Sequence, residues 1–581
     1  MKIPLAIALL LAAVGQARSV SPVVPDALSY PPPNGVQMGG RLGQEIDLSV
    51  RNRVEAQDLE AIIQPFRDRK DVSEWRSEFW GKWITSAIEA YRMRPDPALR
   101  SLIERAEREL IATQSSDGYI GAYAPENRLQ TWDVWGRKYT LLGLLAWYDV
   151  SGDPACLQAA RREADRLLKE AGPGHGDMFR HDAWNGMASS SVLEPMVLLY
   201  QRTGDRRYLR FCEWLIAEWR TPHGPDIERK ALAGVPVFDM FPKPKPIAKA
   251  YWDGGHSKAY EMMSCFEGLL ELYRMTGQPE YRDAVEAIYD NIRSGEITVI
   301  GSGSDWERWT NGANRQTEVW HEGMETCVTV TWIKLAAQLL RLTGNPRYAD
   351  DIEFSSYNAL LGAMAPDGSW WCHYVTLDGR KVRGEDQCGL KLNCCVANGP
   401  RALLLLPELA VMAGAEGPVI NLYGQMNAAL PLATGGSVRL AMNSTYPADG
   451  TVRIRLTPDS AREFTLGLRI PAWSAQTTLT VNGARTVALA GTYARIHRVW
   501  QPGDTVDLSL DVRVRKVFPP RHADLYVEES GPIVLATDDR LTAGDRAPFW
   551  IVKNGRCDYA DAGNTWDARS RFTLWQARRS P

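Results

Sequence analysis

Four copies of a short glycine joint divide the first two-thirds of this 581-residue chain into segments with helical periodicity. They are Ser151-Gly152-Asp153-Pro154, Thr203-Gly204-Asp205, Thr276-Gly277-Gln278-Pro279 and Thr343-Gly344-Asn345-Pro346. Glycine suits the left-handed residue just past a helix end. In three of the joints an Asp or Asn can cap the next helix, and proline is tolerated at its first position. Each joint therefore predicts a tight turn between two consecutive helices.

Apolar periodicity predicts about twelve helices, which is the number that an (α/α)6 toroid requires. The repeat is weak in sequence, so the prediction depends on the helix count and on the joints. The predicted bounds are 54–68, 73–93, 97–114, 133–150, 154–171, 185–202, 206–221, 257–275, 279–294, 325–342, 346–362 and 399–413.

The pattern changes after about Pro418, where segments become β-branched or alternate between apolar and polar residues. Asn482-Gly483 is a typical hairpin turn between two such segments. We therefore predict a mainly α protein with a β domain: an (α/α)6 barrel over residues 18–414, followed by a β-sandwich over 415–581.

The first 17 residues have the pattern of a secretory signal peptide: Lys2, an apolar run, and then Gly15-Gln16-Ala17 as a cleavage site. No later stretch resembles a transmembrane helix. We expect a periplasmic or secreted protein. The net charge of −3 and the lack of a long basic run make nucleic acid and membrane surfaces poor candidate partners.

Two cysteine motifs carry the clearest chemistry: Glu325-Thr326-Cys327 and the vicinal pair Cys394-Cys395. Three thiols and one carboxylate can complete a four-coordinate Zn²⁺ site. Residues i and i+2 do not share a helix face, so Glu325 and Cys327 should converge from an extended segment that precedes a helix. The residues that follow the vicinal pair, Val396 to Arg401, are typical of a turn and a helix start, which can turn both sulfurs inward. A purely structural zinc site and a vicinal disulfide are the alternatives that these residues leave open.

These motifs, in a helical chain with such joints, resemble the β-L-arabinofuranosidases of glycoside hydrolase family 127 and their relatives. Three segments of the β region also look like that family: Leu468 to Trp473, Val481-Asn482-Gly483, and Gly531 to Leu535. The resemblance spans nearly the whole chain after residue 17. The cysteine motifs are its specific part, and the loops depart from it.

The resemblance implies an (α/α)6 barrel with a β-sandwich behind it, and a retaining mechanism. It implies a Zn²⁺ ion held by Glu325, Cys327, Cys394 and Cys395, with Cys394 as the nucleophile. Glu307 would be the general acid/base, and Glu322 is the competing candidate. A general acid should lie where its surroundings hold a proton near neutral pH.

The resemblance also suggests five substrate contacts. His256 stands at a loop-to-helix junction, and Lys138 stands where the family commonly has a histidine. A permanent cation there would favour an anionic or differently hydroxylated sugar, and a surface ion pair is the alternative for Lys138. The other three candidates are Glu194, His181 and Tyr374.

We therefore expect an exported retaining exo-glycosidase that acts on a β-L-arabinofuranoside or related pentose unit of plant-derived glycans. The substrate would be an oligosaccharide or glycoconjugate, and the 21 tryptophans suit a carbohydrate groove or large helix cores. The oligomeric state is left open. Two alternatives remain: a hydrolase of an acidic branched sugar on the same scaffold, and a non-catalytic glycan-binding protein with a structural zinc. A polysaccharide lyase or an unsaturated uronyl hydrolase would leave the cysteines unexplained.

Overall fold

The computed structural model describes residues 19–175, 177–242, 257–318, 323–541, 556–562 and 571–578. The predicted signal peptide, His256 and Glu322 lie outside these residues. Helices dominate up to Ala410, and strands dominate from Val411 onward. No helix of the described residues has both the length and the apolar character needed to cross a bilayer.

Each predicted helix has a counterpart, whereas three described helices, α1, α10 and α13, were not predicted. The predicted helix 185–202 is divided into α7 and α8, and the predicted helix 346–362 is divided into α15 and α16. The described helices are α1 Gly40–Ser49, α2 Leu59–Asp68, α3 Glu78–Met93, α4 Pro97–Ile111, α5 Asp133–Ser151, α6 Pro154–Ala171, α7 Met187–Ser190, α8 Leu193–Thr203, α9 Arg206–Trp219, α10 Ile227–Leu232, α11 Ala259–Thr276, α12 Pro279–Gly295, α13 Gly312–Arg315, α14 Thr326–Thr343, α15 Pro346–Ser355, α16 Leu361–Ala363 and α17 Cys394–Ala410.

The glycine joints end and begin helices as predicted. The glycine that follows α5, α8, α11 and α14 is left-handed in every case, with φ between 64° and 71°. The side chains of Asp153, Asp205 and Asn345 each accept a hydrogen bond from a backbone N–H in the first turn of the next helix. Gln278, in the remaining joint, makes no such bond.

Six helices contact one another in a closed series: α3 with α5, α5 with α8, α8 with α11, α11 with α14, α14 with α17, and α17 with α3. These helices are buried on most of their surface; in α14, for example, 15 of the 18 residues are buried. Helices α4, α6, α9, α12 and α15 pack outside α3, α5, α8, α11 and α14 respectively. The helical part is therefore two layers deep around a common interior.

The strands form three larger sheets and one two-stranded pair. The sheet orders are β1-β6-β7-β11-β14, β13-β12-β15-β10-β9-β8-β2, β16-β17-β18-β20-β5 and β3-β4, with β19 beside β18 and β21 beside β17. The strands are β1 Leu28–Ser29, β2 Val36–Met38, β3 Met324–Glu325, β4 Tyr374–Val375, β5 Asp378–Gly379, β6 Val411–Gly414, β7 Gly417–Ile420, β8 Met426–Pro431, β9 Ser437–Ser444, β10 Thr451–Pro458, β11 Arg462–Ile470, β12 Thr478–Val481, β13 Ala484–Thr486, β14 Thr492–Trp500, β15 Thr505–Ser509, β16 Val514–Val517, β17 Leu525–Ser530, β18 Ile533–Asp538, β19 Cys557–Asp558, β20 Phe572–Thr573 and β21 Gln576–Ala577.

Strands from the helical part join the β-rich part at two places. Near the start of the chain, β1 pairs with β6 and β2 pairs with β8. Between the two cysteine motifs, β5 pairs with β20 of the last sheet. The alternating burial of β9 and β10 matches sheets with one face covered and one face in solvent. The β-rich part therefore supports the segment that precedes the vicinal cysteines.

Candidate active site

The two cysteine motifs meet at the N-terminal ends of neighbouring helices. Glu325 is the extended residue just before α14, and Cys327 is the second residue of that helix. Cys394 and Cys395 are the first two residues of α17, whose start is capped by Asn393. The extended Glu325 agrees with the sequence prediction, whereas α17 begins five residues earlier than the predicted residue 399, so the vicinal cysteines lie in its first turn rather than before it. A helix N-terminus carries partial positive charge, which acts toward the thiolate form. The neighbouring Cys327 nevertheless raises the pKa of Cys394, and burial raises that of Cys395 well above its ordinary value, so these two thiols need further positive charge to ionise at neutral pH.

The sulfur atoms and the Glu325 carboxylate surround one point. The Cys395 Sγ lies 3.4 Å from the Cys327 Sγ and 3.8 Å from the Cys394 Sγ. Glu325 Oε1 lies 3.7 Å from the Cys394 Sγ and 3.9 Å from the Cys395 Sγ. A disulfide bond would need about 2.05 Å between the sulfurs, so the vicinal disulfide is not formed in this structure.

This cluster fits a tetrahedral metal ion. Ligands about 2.3 Å from a common zinc ion lie roughly 3.8 Å from one another, close to the observed separations. Glu325 Oε2 is buried and has no hydrogen-bond partner among the described residues. Burial raises the pKa of Glu325 well above its ordinary value, and the nearby Glu307 and Cys394 raise it further. A bound cation would remove this penalty, so the donor set matches a metal better than it matches a bare anion cluster.

His373 is a fifth possible donor that the sequence analysis missed. The donor atoms of Glu325, His373, Cys394 and Cys395 all lie within 4.8 Å of one another. Strand β3 pairs with β4 so that Glu325 is opposite Tyr374, and the Thr326 N–H donates to the His373 carbonyl at 3.0 Å. This pairing brings His373 to the cluster. Its position beside Tyr374 in the sequence was the only signal that could have found it.

The His373 ring also connects the cluster to Glu307. His373 Nε2 lies 3.9 Å from the Cys394 Sγ and 3.4 Å from Glu307 Oε1. The distance between the Cys394 sulfur and the Glu307 carboxylate oxygen therefore cannot exceed the sum of these two distances. That upper limit is compatible with the roughly 5–5.5 Å that separates the two catalytic groups of retaining glycosidases. Burial lowers the pKa of His373, but Cys394 and Glu307 raise it to about 10.

Glu307 lies in a strained loop and is strongly paired. Its backbone φ of 72° is left-handed, as is that of Trp306 at 49°, a conformation that costs roughly 1–3 kcal/mol per residue. Lys258 Nζ lies 2.6 Å from Glu307 Oε2, and the Tyr374 hydroxyl donates to Oε1 at 3.4 Å. Burial alone would raise the pKa of Glu307, but Lys258 and His373 hold it well below its ordinary value. The expected environment, one that keeps a proton on Glu307 itself, is therefore not what the structure shows.

A cavity of about 640 Å³ opens onto this cluster. Cys394 and Glu325 line it, whereas Cys327 and Cys395 do not. Of the three sulfurs, only that of Cys394 belongs to a residue with measurable exposure, 8% against 0% for the other two. The cavity wall is rich in aromatic rings: Trp75, Trp132, Trp135, Trp184, Tyr260, Trp306 and Tyr374.

The predicted substrate contacts are only partly brought together. Tyr374 lines the cavity. Lys138 and Glu194 do not line it; Lys138 packs over the Trp135 ring at 4.5 Å, and burial lowers its pKa to about 8 although Glu194 and Glu267 act in the opposite direction. His181 is exposed and does not line the cavity.

The described lysines that line the cavity are Lys82 and Lys258 rather than Lys138. Lys82 is fully buried and pairs with Glu78 at 2.6 Å. It lies over the rings of Tyr139 and Tyr260 at 5.3 and 5.0 Å. Burial lowers the pKa of Lys82, but Glu78, Cys327, Tyr139 and Cys394 raise it well above its ordinary value.

Comparison with known proteins agrees with this site. Residues 45–408 match the model of the GH127 catalytic domain of β-L-arabinofuranosidase, and residues 418–512 match the GH127 middle domain. The chain is thus a glycoside hydrolase by class. It belongs to the GH127 β-L-arabinofuranosidase family.

Individual relatives agree with the family match. The non-reducing end β-L-arabinofuranosidase of Bifidobacterium longum subsp. longum is 26% identical over 509 residues, which cover 80% of this chain and 75% of that protein. A crystal structure of a GH127 β-L-arabinofuranosidase from Geobacillus stearothermophilus T6 covers 93% of this chain and 99% of its own, with TM-score 0.73 and 19% identity. A GH127 β-arabinofuranosidase structure covers 95% and 98%, with TM-score 0.75 and 19% identity.

Proposed function

We propose that this protein is an exported, retaining exo-glycosidase that hydrolyses a β-L-arabinofuranoside or related pentose linkage in plant-derived glycans. The scaffold would be an (α/α)6 toroid, built on the closed series of six helices, followed by a β-sandwich. One observation carries the proposal. Among the three clustered cysteines, Cys394 alone faces the cavity, and a single His373 nitrogen lies between its sulfur and Glu307.

Glu325, Cys327, Cys394 and Cys395 would hold a Zn²⁺ ion. When bound, the ion supplies positive charge that keeps the Cys394 thiol ionised at neutral pH. The crowded carboxylate and thiols, with Glu325 Oε2 unpartnered, support a cation at this point. The choice of zinc follows from the soft sulfur donors and the four-donor count.

The reaction would proceed by double displacement. A lone pair of the Cys394 thiolate forms a C–S bond to the anomeric carbon while the C–O bond to the leaving group breaks. The leaving oxygen takes a proton from Glu307. Glu307 then removes a proton from water, whose oxygen displaces the sulfur and restores the original configuration and the thiolate.

The proton for the first step belongs to the Glu307–His373 pair. Lys258 keeps Glu307 ionised in the resting site, whereas the raised pKa of His373 keeps that ring protonated near neutral pH. A proton that passes from His373 Nε2 to Glu307 Oε1, 3.4 Å apart, makes Glu307 the acid when the leaving oxygen arrives. The Glu307–His373 pair would therefore supply the proton that a single protonated glutamate would otherwise give to the leaving oxygen.

Charge balance in the cavity favours a neutral sugar over an acidic one. Both described lysines of the cavity wall already pair with carboxylates: Lys82 with Glu78, and Lys258 with Glu307 and Glu261. An anionic sugar would have to displace one of these buried pairs, which is costly. The family match and the name of the Bifidobacterium relative support a β-L-arabinofuranoside as the neutral sugar. Periplasmic or secreted localisation is proposed from the first 17 residues alone.

Hydrolysis of synthetic aryl pentofuranosides tests the proposal. We expect the parent chain to release the aryl group from the β-L-arabinofuranoside and to produce initially the β anomer, as followed by ¹H NMR. Cys394→Ala and Glu307→Gln should each lower kcat at least about 1,000-fold while thermal midpoints stay near that of the parent. A haloacetamide derivative of the sugar should alkylate Cys394.

The alternatives give different results. A non-catalytic glycan-binding protein would bind the sugar without any hydrolysis by the parent. A hydrolase of acidic sugars would prefer a uronate or other carboxylated glycoside over the arabinofuranoside. Product of inverted configuration would eliminate the cysteine nucleophile.

A further inference from the structure

The cluster contains more donors than one tetrahedral ion can use. Three donors lie at its centre: Cys394, Cys395 and Glu325. On one side of them is Cys327, whose sulfur lies 3.4 Å from that of Cys395. On the other side they are joined by His373, whose Nε2 lies 3.9 Å from the Cys394 Sγ. A zinc ion bound by sulfur and nitrogen donors is almost always four-coordinate. One of the five donors is therefore always in excess.

The excess donor matters because the nucleophile must change partners. If Cys394 is both a metal ligand and the group that bonds to carbon, its sulfur lone pair has to leave the ion as the C–S bond forms. Cys327 and Cys395 are fully buried, so only Cys394 can make this move toward the cavity. Without a replacement, the ion would be left with three protein ligands at the moment when the sulfur is withdrawn.

His373 is placed to be the replacement. It lines the cavity on the same side as Cys394. Its ring stacks on Tyr374 with centroids 4.1 Å apart and an interplanar angle of 17°, which fixes the ring plane. The backbone around it is fixed as well, because Thr326 donates to the His373 carbonyl and Tyr374 pairs with Glu325. Neutral imidazole nitrogen is a normal zinc ligand.

We propose that His373 is an exchange ligand: Nε2 occupies the metal position that the Cys394 sulfur leaves when that sulfur is bonded to the sugar. The exchange moves one nitrogen lone pair onto the ion and one sulfur lone pair off it, so no oxidation or reduction takes place. When water releases the sugar, the regenerated thiolate displaces the imidazole. The inference deepens the proposed function and rests on it for the identity of the nucleophile.

A double-mutant cycle on metal affinity tests the exchange without any need for turnover. Zn²⁺ affinity of the full chain is measured by competition with a chelator at one fixed pH for the parent, His373→Phe, Cys394→Ser and the double variant. Phenylalanine keeps the stacking on Tyr374 but cannot coordinate. We expect His373→Phe to change affinity less than about twofold in the parent and to lower it at least about tenfold in the Cys394→Ser background.

Spectroscopy gives an independent readout. Co²⁺ bound to Cys394→Ser should keep the strong visible absorption of a four-coordinate site, and His373→Phe should remove it only in that background. Tyr374→Phe is the matched control, because it alters the adjacent ring without removing a donor, and it should have the same effect in both backgrounds. Should the Phe variant fail to fold, His373→Gln replaces it in the cycle.

The outcomes separate the two proposals. Equal effects of the His373 change in both backgrounds, or a Cys394→Ser variant that binds no metal, would overturn the exchange. Coupled metal affinities in a protein that hydrolyses no glycoside would support His373 as the replacement ligand and refute the proposed function. Hydrolysis through Cys394, together with additive effects of the two substitutions on metal affinity, would support the proposed function and refute the exchange.

Discussion

Lys258 donates a hydrogen bond to Glu307, with its Nζ 2.6 Å from Oε2, inside a cavity wall where the lysine side chain is only 6% exposed. The same ammonium lies 3.4 Å from Glu261 Oε1. A single cation thus contacts two carboxylates, one of which is the proposed acid/base. On the other oxygen of Glu307 lies His373, which in the proposed mechanism would supply the proton that Lys258 prevents Glu307 from keeping. The ionisation of the site is therefore a property of the Lys258–Glu307–His373 group.

Lys258→Met should move the pH dependence of the reaction in a known direction. Removal of the cation favours the protonated form of the Glu307–His373 pair, so the pair keeps its proton to higher pH, and the falling limb of kcat/KM should shift to higher pH. Because the pKa of His373 is already raised to about 10 in the parent, initial rates from pH 6 to 11 check this. Lys258→Arg keeps the charge and is the control. An unmoved limb in Lys258→Met would show that another group governs it.

The same substitution should also change stability with pH. The folded-state pKa of Glu307 lies below its ordinary value of 4.5, so its contribution to stability is present above that value and is lost as pH falls through the folded pKa. Lys258→Met leaves Glu307 and Glu261 without their cation, which should cost about 3–5 kcal/mol at neutral pH. Denaturant unfolding at pH 7 should show this loss, and at pH 3 the difference from the parent should be smaller. A constant difference at both pH values would contradict the assignment.

Removal of a buried ligand should have a larger effect on metal binding than removal of a neighbouring cysteine. Cys395→Ala deletes a fully buried thiolate donor and leaves His373 as the only described replacement, so zinc content after dialysis against a chelator should fall below that of the parent and the thermal midpoint should drop. Cys372→Ala is the matched control: Cys372 is 2% exposed and lies in the same segment as His373, and its burial raises its pKa to about 12. Elemental analysis and thermal unfolding should separate the two variants. Loss of metal in both would mean that the cluster is not specific.

The helical scaffold was predictable because its signals are local. Each left-handed glycine and each Asp or Asn cap acts within a few residues, so four short joints fixed the ends of eight helices. The convergence of Glu325 and Cys327 with the vicinal cysteines was also predictable, since few residue types bind a metal. The part of the site that depends on pairing between distant segments was not predictable from the sequence. His373 reaches the cluster only through the pairing of β3 with β4, and neither two-residue strand has a sequence pattern of its own.

Which lysine lines the cavity was not predictable for a similar reason. Trp135 and Lys138 lie on the same helix, α5, three residues or about 4.5 Å apart along its axis. Trp135 lines the cavity, whereas Lys138 lies one turn deeper, among Glu194 and Glu267. Lys82, from α3, enters the cavity instead. A sequence motif identifies the helix that borders the cavity, but it does not show which side chains of that helix line the cavity.

Substitution of these two lysines should therefore give opposite results. Lys82→Met removes a cation next to Cys394 and leaves Glu78 unpaired, so kcat/KM should fall at least about tenfold. Lys138→Met should leave kcat/KM of the folded enzyme within about twofold. Steady-state kinetics, corrected for the folded fraction, distinguishes them. A larger kinetic loss in Lys138→Met would restore Lys138 as a substrate contact.

The one joint without a cap offers a stabilising change. Gln278 precedes Pro279 at the start of α12 with an extended backbone, φ −72° and ψ 112°, but its side chain makes no capping bond. Asp153, before Pro154, has nearly the same conformation, φ −66° and ψ 114°, and does cap. Gln278→Asp should therefore raise the free energy of unfolding by about 0.5–1 kcal/mol, and Asp153→Ala should lower it by about 1 kcal/mol. Denaturant titration measures both, and because Asp205 and Asn345 cap the other two joints, a destabilising Gln278→Asp would show that α12 begins under a constraint that the other three helices do not share.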